Sequence, residues 1–168
     1  MRAIIGIVLG CSLAACVPST HVGRSAADLV VLQSASADTG CGGTTAGLTF
    51  RRVFQDGNGA LQPFQIPADR SLLITDVDWQ YRHPNGGAAA GRRIVLRLFL
   101  QNLADPSHQE VVHESTIIVN EEGEGGVSEA MTTGFVMTDE AQLCLDTGEE
   151  PKGPPLGLQH TILRGYLL

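Results

Sequence analysis

From Arg93 to Gln101 every second residue is a large aliphatic. Ile94, Leu96, Leu98 and Leu100 fall on one side, and Arg93, Arg97 and Gln101 on the other. An extended strand, whose side chains leave alternate faces, sorts this pattern into one dry and one wet surface. A helix would scatter the same leucines around its axis. A second stretch, "SLLITDVDWQYR", reads the same way, with Leu73, Thr75, Val77, Trp79 and Tyr81 on one face. Further runs follow: "GLTFRRVF", "QEVVHESTIIV", "AMTTGFVM", "AQLCLD" and "LQHTILRGYLL". Turn-forming stretches separate them, among them "HPNGGAAAG", "ADPS", "NEEGEGG" and "TGEEPKGPPLG". No stretch carries a helical period. Seven or eight short strands joined by turns predict an all-β fold, an antiparallel β-sandwich of jelly-roll-like form. An immunoglobulin-like sandwich is the competitor. It would need a Cys…Trp…Cys order at short spacing, and Trp79 stands far from both downstream cysteines.

The N-terminus follows different rules. Arg2 precedes an uncharged run from Ala3 to Ala15. This is short of the roughly 20 residues that span a bilayer as a helix, but it has the build of a secretory leader. The run ends Leu13-Ala14-Ala15-Cys16. This tetrad resembles the lipobox of bacterial lipoproteins: an apolar residue, two small ones, and the cysteine that is lipidated. The resemblance covers only the first 16 residues. It implies cleavage after Ala15, a fatty-acylated Cys16 as the new N-terminus, and a place in the bacterial cell envelope. Val17 follows Cys16 where some inner-membrane lipoproteins carry Asp, so by analogy the resemblance implies the outer membrane. Several acyl chains on one residue suit stable anchoring, because a single chain holds only marginally. Cys11 reads as an inert part of the removed leader.

The expected organisation is a leader at 1–15, lipidated Cys16 and a flexible tether at 16–46, and a β-sandwich domain at 47–168. Within the tether, "ADLVVLQ" is the one apolar patch, a candidate short helix or strand that docks on the domain. Cys41 and Cys144 remain in the exported part, where two cysteines are expected to pair. The loop between them is long, worth about 4–5 kcal/mol in a chain-entropy account. Neither has a Cys or His neighbour at metal-ligand spacing, and there is no C-x-x-C. The net charge of −7 argues against nucleic acid, which demands a basic surface.

The candidate ligand-binding residues are Asp76, Asp78 and Tyr81. The two aspartates alternate on one strand and share a face, where Glu121, Glu122 and Glu124 could add oxygens for Ca²⁺. The blander reading is a solvated acidic face that discourages edge pairing. Tyr81, beside the glycine-rich "HPNGG" loop, is the better sugar-stacking candidate, while Trp79 reads as core. The histidines show no metal pairing, no G-x-S-x-G elbow is present, and "NGGAAAG" lacks the ending of a phosphate loop. The expectation is therefore an envelope lipoprotein that is not an enzyme and needs no metal or cofactor. It would be attached to the membrane through its lipid and bind a glycan, an envelope polymer or a partner protein. The alternative is a structural or assembly lipoprotein without a small ligand.

Overall fold

A computed structural model of the chain describes residues 26–35, 49–54, 56–60, 62–147 and 157–168. The leader, Cys11, Cys16, Cys41 and much of the expected tether lie outside these described residues. The described part is all-β, with two antiparallel sheets arranged as a β-sandwich. The strands are β1 (Leu29–Ala35), β2 (Thr49–Val53), β3 (Ser71–Arg82), β4 (Arg93–Asn102), β5 (Gln109–Ile118), β6 (Glu124–Thr138), β7 (Ala141–Thr147) and β8 (Leu158–Leu167). One sheet runs β2-β1-β8-β3-β6 and the other β5-β4-β7. The short 3₁₀ turns Ala26–Asp28 and Gly86–Ala89 complete the regular structure described. Among the described residues no helix is long and apolar enough to cross a membrane.

The first strand lies inside the stretch expected to be tether. β1 sits between β2 and β8, and its alternation buries Val30 and Leu32 while Leu29 and Val31 face outward. That burial is the physical reason the apolar patch "ADLVVLQ" joins the sheet as a strand. Two apolar side chains on one face are worth about 1.5–3 kcal/mol each when taken from water.

β4 follows the alternation: Ile94, Leu96 and Leu98 are fully buried. At its end Leu100 still packs against the core, but outward Gln101 is buried as well and donates to the Pro106 carbonyl in the β4–β5 turn. β3 departs further. Against β8 its pairing steps from Ile74–Gly165 to Asp76–Arg164, so Thr75 is an extra residue, a β-bulge; against β6 it steps from Ile74–Phe135 to Asp76–Ala130, and there the extra residues lie on β6. Before the bulge Leu72 and Ile74 face the core; after it Val77, Trp79 and Tyr81 do. The expected face therefore holds from Val77 onward and fails for Leu73 and Thr75.

The two sheets close over one core. Leu32, Leu72, Ile74, Val77, Trp79 and Leu163 from the larger sheet meet Ile94, Leu96, Leu98 and Leu145 from the smaller. Trp79 Nε1 donates across the core to Ser115 Oγ at 3.1 Å, so its one polar atom is satisfied in a dry site. At one seam β5 and β6 meet through His113 Nε2 and Glu129 Oε2, 3.0 Å apart.

The turn-forming stretch "HPNGGAAAG" packs against the sandwich. Ala89 and His83 are buried, and the His83 N–H donates to the Gly123 carbonyl at 2.7 Å. The Gly91 N–H donates to the Val119 carbonyl at 2.9 Å. Small residues let this loop lie flat on the β5–β6 turn.

Candidate functional site

An open groove of about 760 Å³ crosses the outer face of the larger sheet. β3 supplies Asp78, Gln80 and Arg82, β8 supplies His160 beside Gln159, and β6 supplies Glu124 and Ser128. Asn120 closes one end. Strand register makes this arrangement. Past the bulge, the even-numbered residues of β3 face outward, and Gln80 stands opposite His160 on one side and Gly126 on the other.

The depth comes from glycine. The "EGG" of the expected "NEEGEGG" loop belongs to β6, which begins at Glu124. A β-carbon at Gly126 would stand 2.8 Å from the Trp79 carbonyl oxygen and 3.1 Å from Gln80 Cγ. No larger residue fits that close approach, and its absence leaves a trough between β3 and β6. A glycine inside a strand marks close backbone approach. That rule, applied to "EGEGGVSEA", is the sequence signal that could have located the groove.

The polar groups lie as complementary pairs. His160 Nε2 is 3.6 Å from Asp78 Oδ1, and Arg82 Nε is 3.4 Å from Glu124 Oε1. Asn120 Oδ1 accepts from the N–H groups of Glu122 and Glu124, at 3.0 and 2.8 Å, and fixes the turn at the groove's end. Asp78 and His160 are each about one-quarter exposed, so both can offer hydrogen bonds to a ligand.

The expected site residues separate. Asp78 lines the groove. Asp76 shares its face but stands between Arg164 and Ala130, and its carboxylate accepts from Thr75 Oγ1 at 2.7 Å. Glu124 stands opposite Arg82, four positions from Ser128, which pairs with Asp78; that is about 13 Å along the strand. The two aspartates and the loop glutamates therefore do not assemble as a calcium site would need. Among the described residues no three His, Cys, Asp or Glu side chains gather as metal ligands.

Tyr81 requires a correction. It is 1 % exposed, a core residue that shares the inward phase of Val77 and Trp79. Its ring meets His83 edge-on at 6.1 Å. Tyr166 lies at the opposite end of the sheet, paired with Leu29 and Leu73, so no aromatic platform forms from Trp79, Tyr81 and Tyr166.

Cys144 lies on β7 between inward-facing Leu143 and Leu145. Its position is therefore on the outer face of the smaller sheet, yet it is fully buried, with Sγ 3.6 Å from Gln101 Oε1. Its expected partner Cys41 lies outside the described residues, as does Cys16.

Two exposed carboxyls titrate low for local reasons. Asp105 is held down to about 2 by the Ser107 hydroxyl, the His108 ring and the Ser107 N–H. Asp56 is lowered by the Asn58 N–H and side-chain amide. Both organise turns, and neither lines the groove. Compared with known proteins, the chain matches no family model and no curated protein, which leaves the groove's own chemistry as the guide to function.

Proposed function

We propose that this chain is a lipid-anchored protein of the bacterial envelope whose β-sandwich domain binds a glycan, without catalysis, in the groove over β8, β3 and β6. The groove carries this reading. Sugar hydroxyls both donate and accept, and the groove offers carboxylate acceptors (Asp78, Glu124) beside guanidinium and amide donors (Arg82, Gln80, Asn120). It is open and spans three strands, which suits a polymer better than a small molecule. Its volume falls within the range of ligand sites.

The fold is read as a jelly roll. Rolling one long antiparallel ribbon pairs strands 1 with 8, 2 with 7, 3 with 6 and 4 with 5. Three of those pairs are ladders here, β2 touches β7, and the cross pairs β8·β3 and β4·β7 are those that rolling adds.

Thermal melting of the mature lipidated protein in detergent, against a panel of envelope polysaccharides, tests the function. At a free concentration about 100 times Kd, binding to the folded state adds about 2.7 kcal/mol. That is a rise of roughly 5–10 °C for a domain of this size. Asp78→Asn with His160→Gln removes a charged partner and should weaken binding about tenfold or more. No rise with any polysaccharide overturns glycan binding and favours the assembly reading.

The anchor rests on Leu13-Ala14-Ala15-Cys16 and is tested separately. Cys16→Ser should abolish acyl labelling and move the protein from the membrane to the soluble fraction; persistent labelling overturns it. The Cys41–Cys144 bond is part of the same proposal, supported by the burial of Cys144 at an outward position. In the exported protein both sulfurs should resist alkylation until reductant is added.

A further inference from the structure

The same outer face carries a second surface, at the end away from the groove. Leu29 pairs with Tyr166, Tyr166 with Leu73, and Leu73 with Val136. These four outward side chains form one apolar row across β1, β8, β3 and β6, about 14 Å wide at 4.8 Å per strand. Val31, paired with Val53, continues it towards β2, and Phe54 follows beside Val53. The exposure is large for apolar groups: Leu29 is 38 %, Phe54 47 % and Val136 53 % exposed. The Arg52 guanidinium lies over the Phe54 ring, 5.9 Å from its centre.

The chain itself indicates what covers this row. Leu29 is both a member of the row and the first residue of β1, the strand through which the N-terminal segment enters the sheet. Nine residues lie between Cys16 and Ala26. Even fully extended they reach only about 35 Å. An acyl anchor on Cys16 therefore keeps this end of the domain within about 35 Å of the bilayer surface. A stacked Arg–Phe pair beside exposed aliphatics suits the headgroup–acyl boundary, where aromatic and arginine side chains keep one end dry and the other wet.

From these relations we infer that the row Leu29–Tyr166–Leu73–Val136, with Val31, Val53 and Phe54, lies on the lipid bilayer that carries the anchor and sets the domain's orientation there. This inference rests on the lipoprotein reading of Cys16. It has a geometric result. Leu73 and Arg82 are nine residues apart on β3, about 30 Å. With the row on the membrane, the groove is carried at the far end of the sheet, clear of the headgroups.

The test uses mature lipidated protein in phosphatidylethanolamine–phosphatidylglycerol vesicles whose acyl chains are brominated, a short-range quencher of tryptophan. Phe54→Trp places a reporter in the row, and Val111→Trp places one on β5 of the other sheet. Wild-type Trp79, fully buried, sets the background. The Phe54→Trp signal should fall by at least half in brominated vesicles, and the Val111→Trp signal should be unchanged. Adding Val136→Asp to Phe54→Trp should restore the signal. Protein that floats with the vesicles while Phe54→Trp stays unquenched overturns this inference alone and leaves the row for a protein partner. Quenching that survives Val136→Asp overturns the row as the contact. Protein that does not float with the vesicles overturns the anchor and this inference together.

Discussion

Trp79→Ala should lower the melting temperature of the domain by roughly 10–20 °C. The side chain is fully buried at the centre of the sandwich, between β3 and the opposite sheet. Removing a buried aromatic costs about 3–5 kcal/mol, through lost burial and the cavity left behind. For a domain of this size each kcal/mol moves the midpoint by about 2–4 °C or somewhat more. The substitution also leaves Ser115 Oγ without its indole donor, 3.1 Å away in the native core. Ser115→Ala gives the complementary measurement: the cavity is small, but the indole N–H is left buried and unpaired, at about 1–3 kcal/mol. Calorimetry on both variants separates packing from hydrogen bonding. A Trp79→Ala midpoint within a few degrees of wild type would show that this core collapses around the hole and that Trp79 does not organise it.

A loss of similar size is expected from a single methyl group at Gly165. This residue sits on β8 opposite Ile74, beside the bulge at Thr75. A β-carbon there would overlap the Leu73 carbonyl oxygen, with the Leu73 carbonyl carbon at 2.9 Å and Ile74 Cα at 3.0 Å. All three neighbours are backbone, so no side chain can swing aside. On the other flank of the bulge Gly134 of β6, at φ +66, crowds the Ile74 carbonyl in the same way. The bulge is thus held between two glycines. Gly165→Ala must push β8 away from β3 and break ladder hydrogen bonds between two central strands, a loss of about 4 kcal/mol, at the upper end for single substitutions. Gly59→Ala is the control: nothing lies within 4 Å of its β-carbon position, and the change should stay within about 0.5 kcal/mol. Equal urea midpoints for the two variants would refute the close-approach account.

The all-β class was legible because Ile94, Leu96 and Leu98 repeat over a strand buried on one face only. The phase of β3 was legible only after its bulge. Period-two reading from Trp79 back to Leu73 crosses Thr75, and a single extra residue inverts every face beyond it. The signal that a bulge was present lay on other strands, in Gly134 and Gly165, whose meaning depends on pairing no local pattern reveals. Tyr81 was misplaced for a related reason. Closeness in sequence to a glycine-rich loop suggested exposure, whereas its parity with Val77 and Trp79 put it inside. Asp78 was found because it alternates with Asp76 and so shares one face of the strand. His160 and Gly126 join it only across strands, at sequence separations of dozens of residues. β1 was half-legible: the apolar run in "DLVVLQ" suits a strand, but six residues in a small-polar context carry too little burial to outweigh their surroundings by inspection.

The placement of β1 has a mechanical meaning. The strand is held by five paired positions on each side, against β2 and against β8. At its entry end the Arg70 guanidinium clasps Asp28 Oδ1 at 3.0 Å and the Leu168 carbonyl at 2.7 Å, joining the start of the described chain to its finish. Tension applied through the N-terminal segment runs along the strand axis and loads both ladders in shear. The rungs must then yield together, where an edge strand pulled sideways would unzip one rung at a time. If the proposed lipid anchor pulls on the N-terminal segment, the domain is gripped along the direction in which its sheet resists extension best.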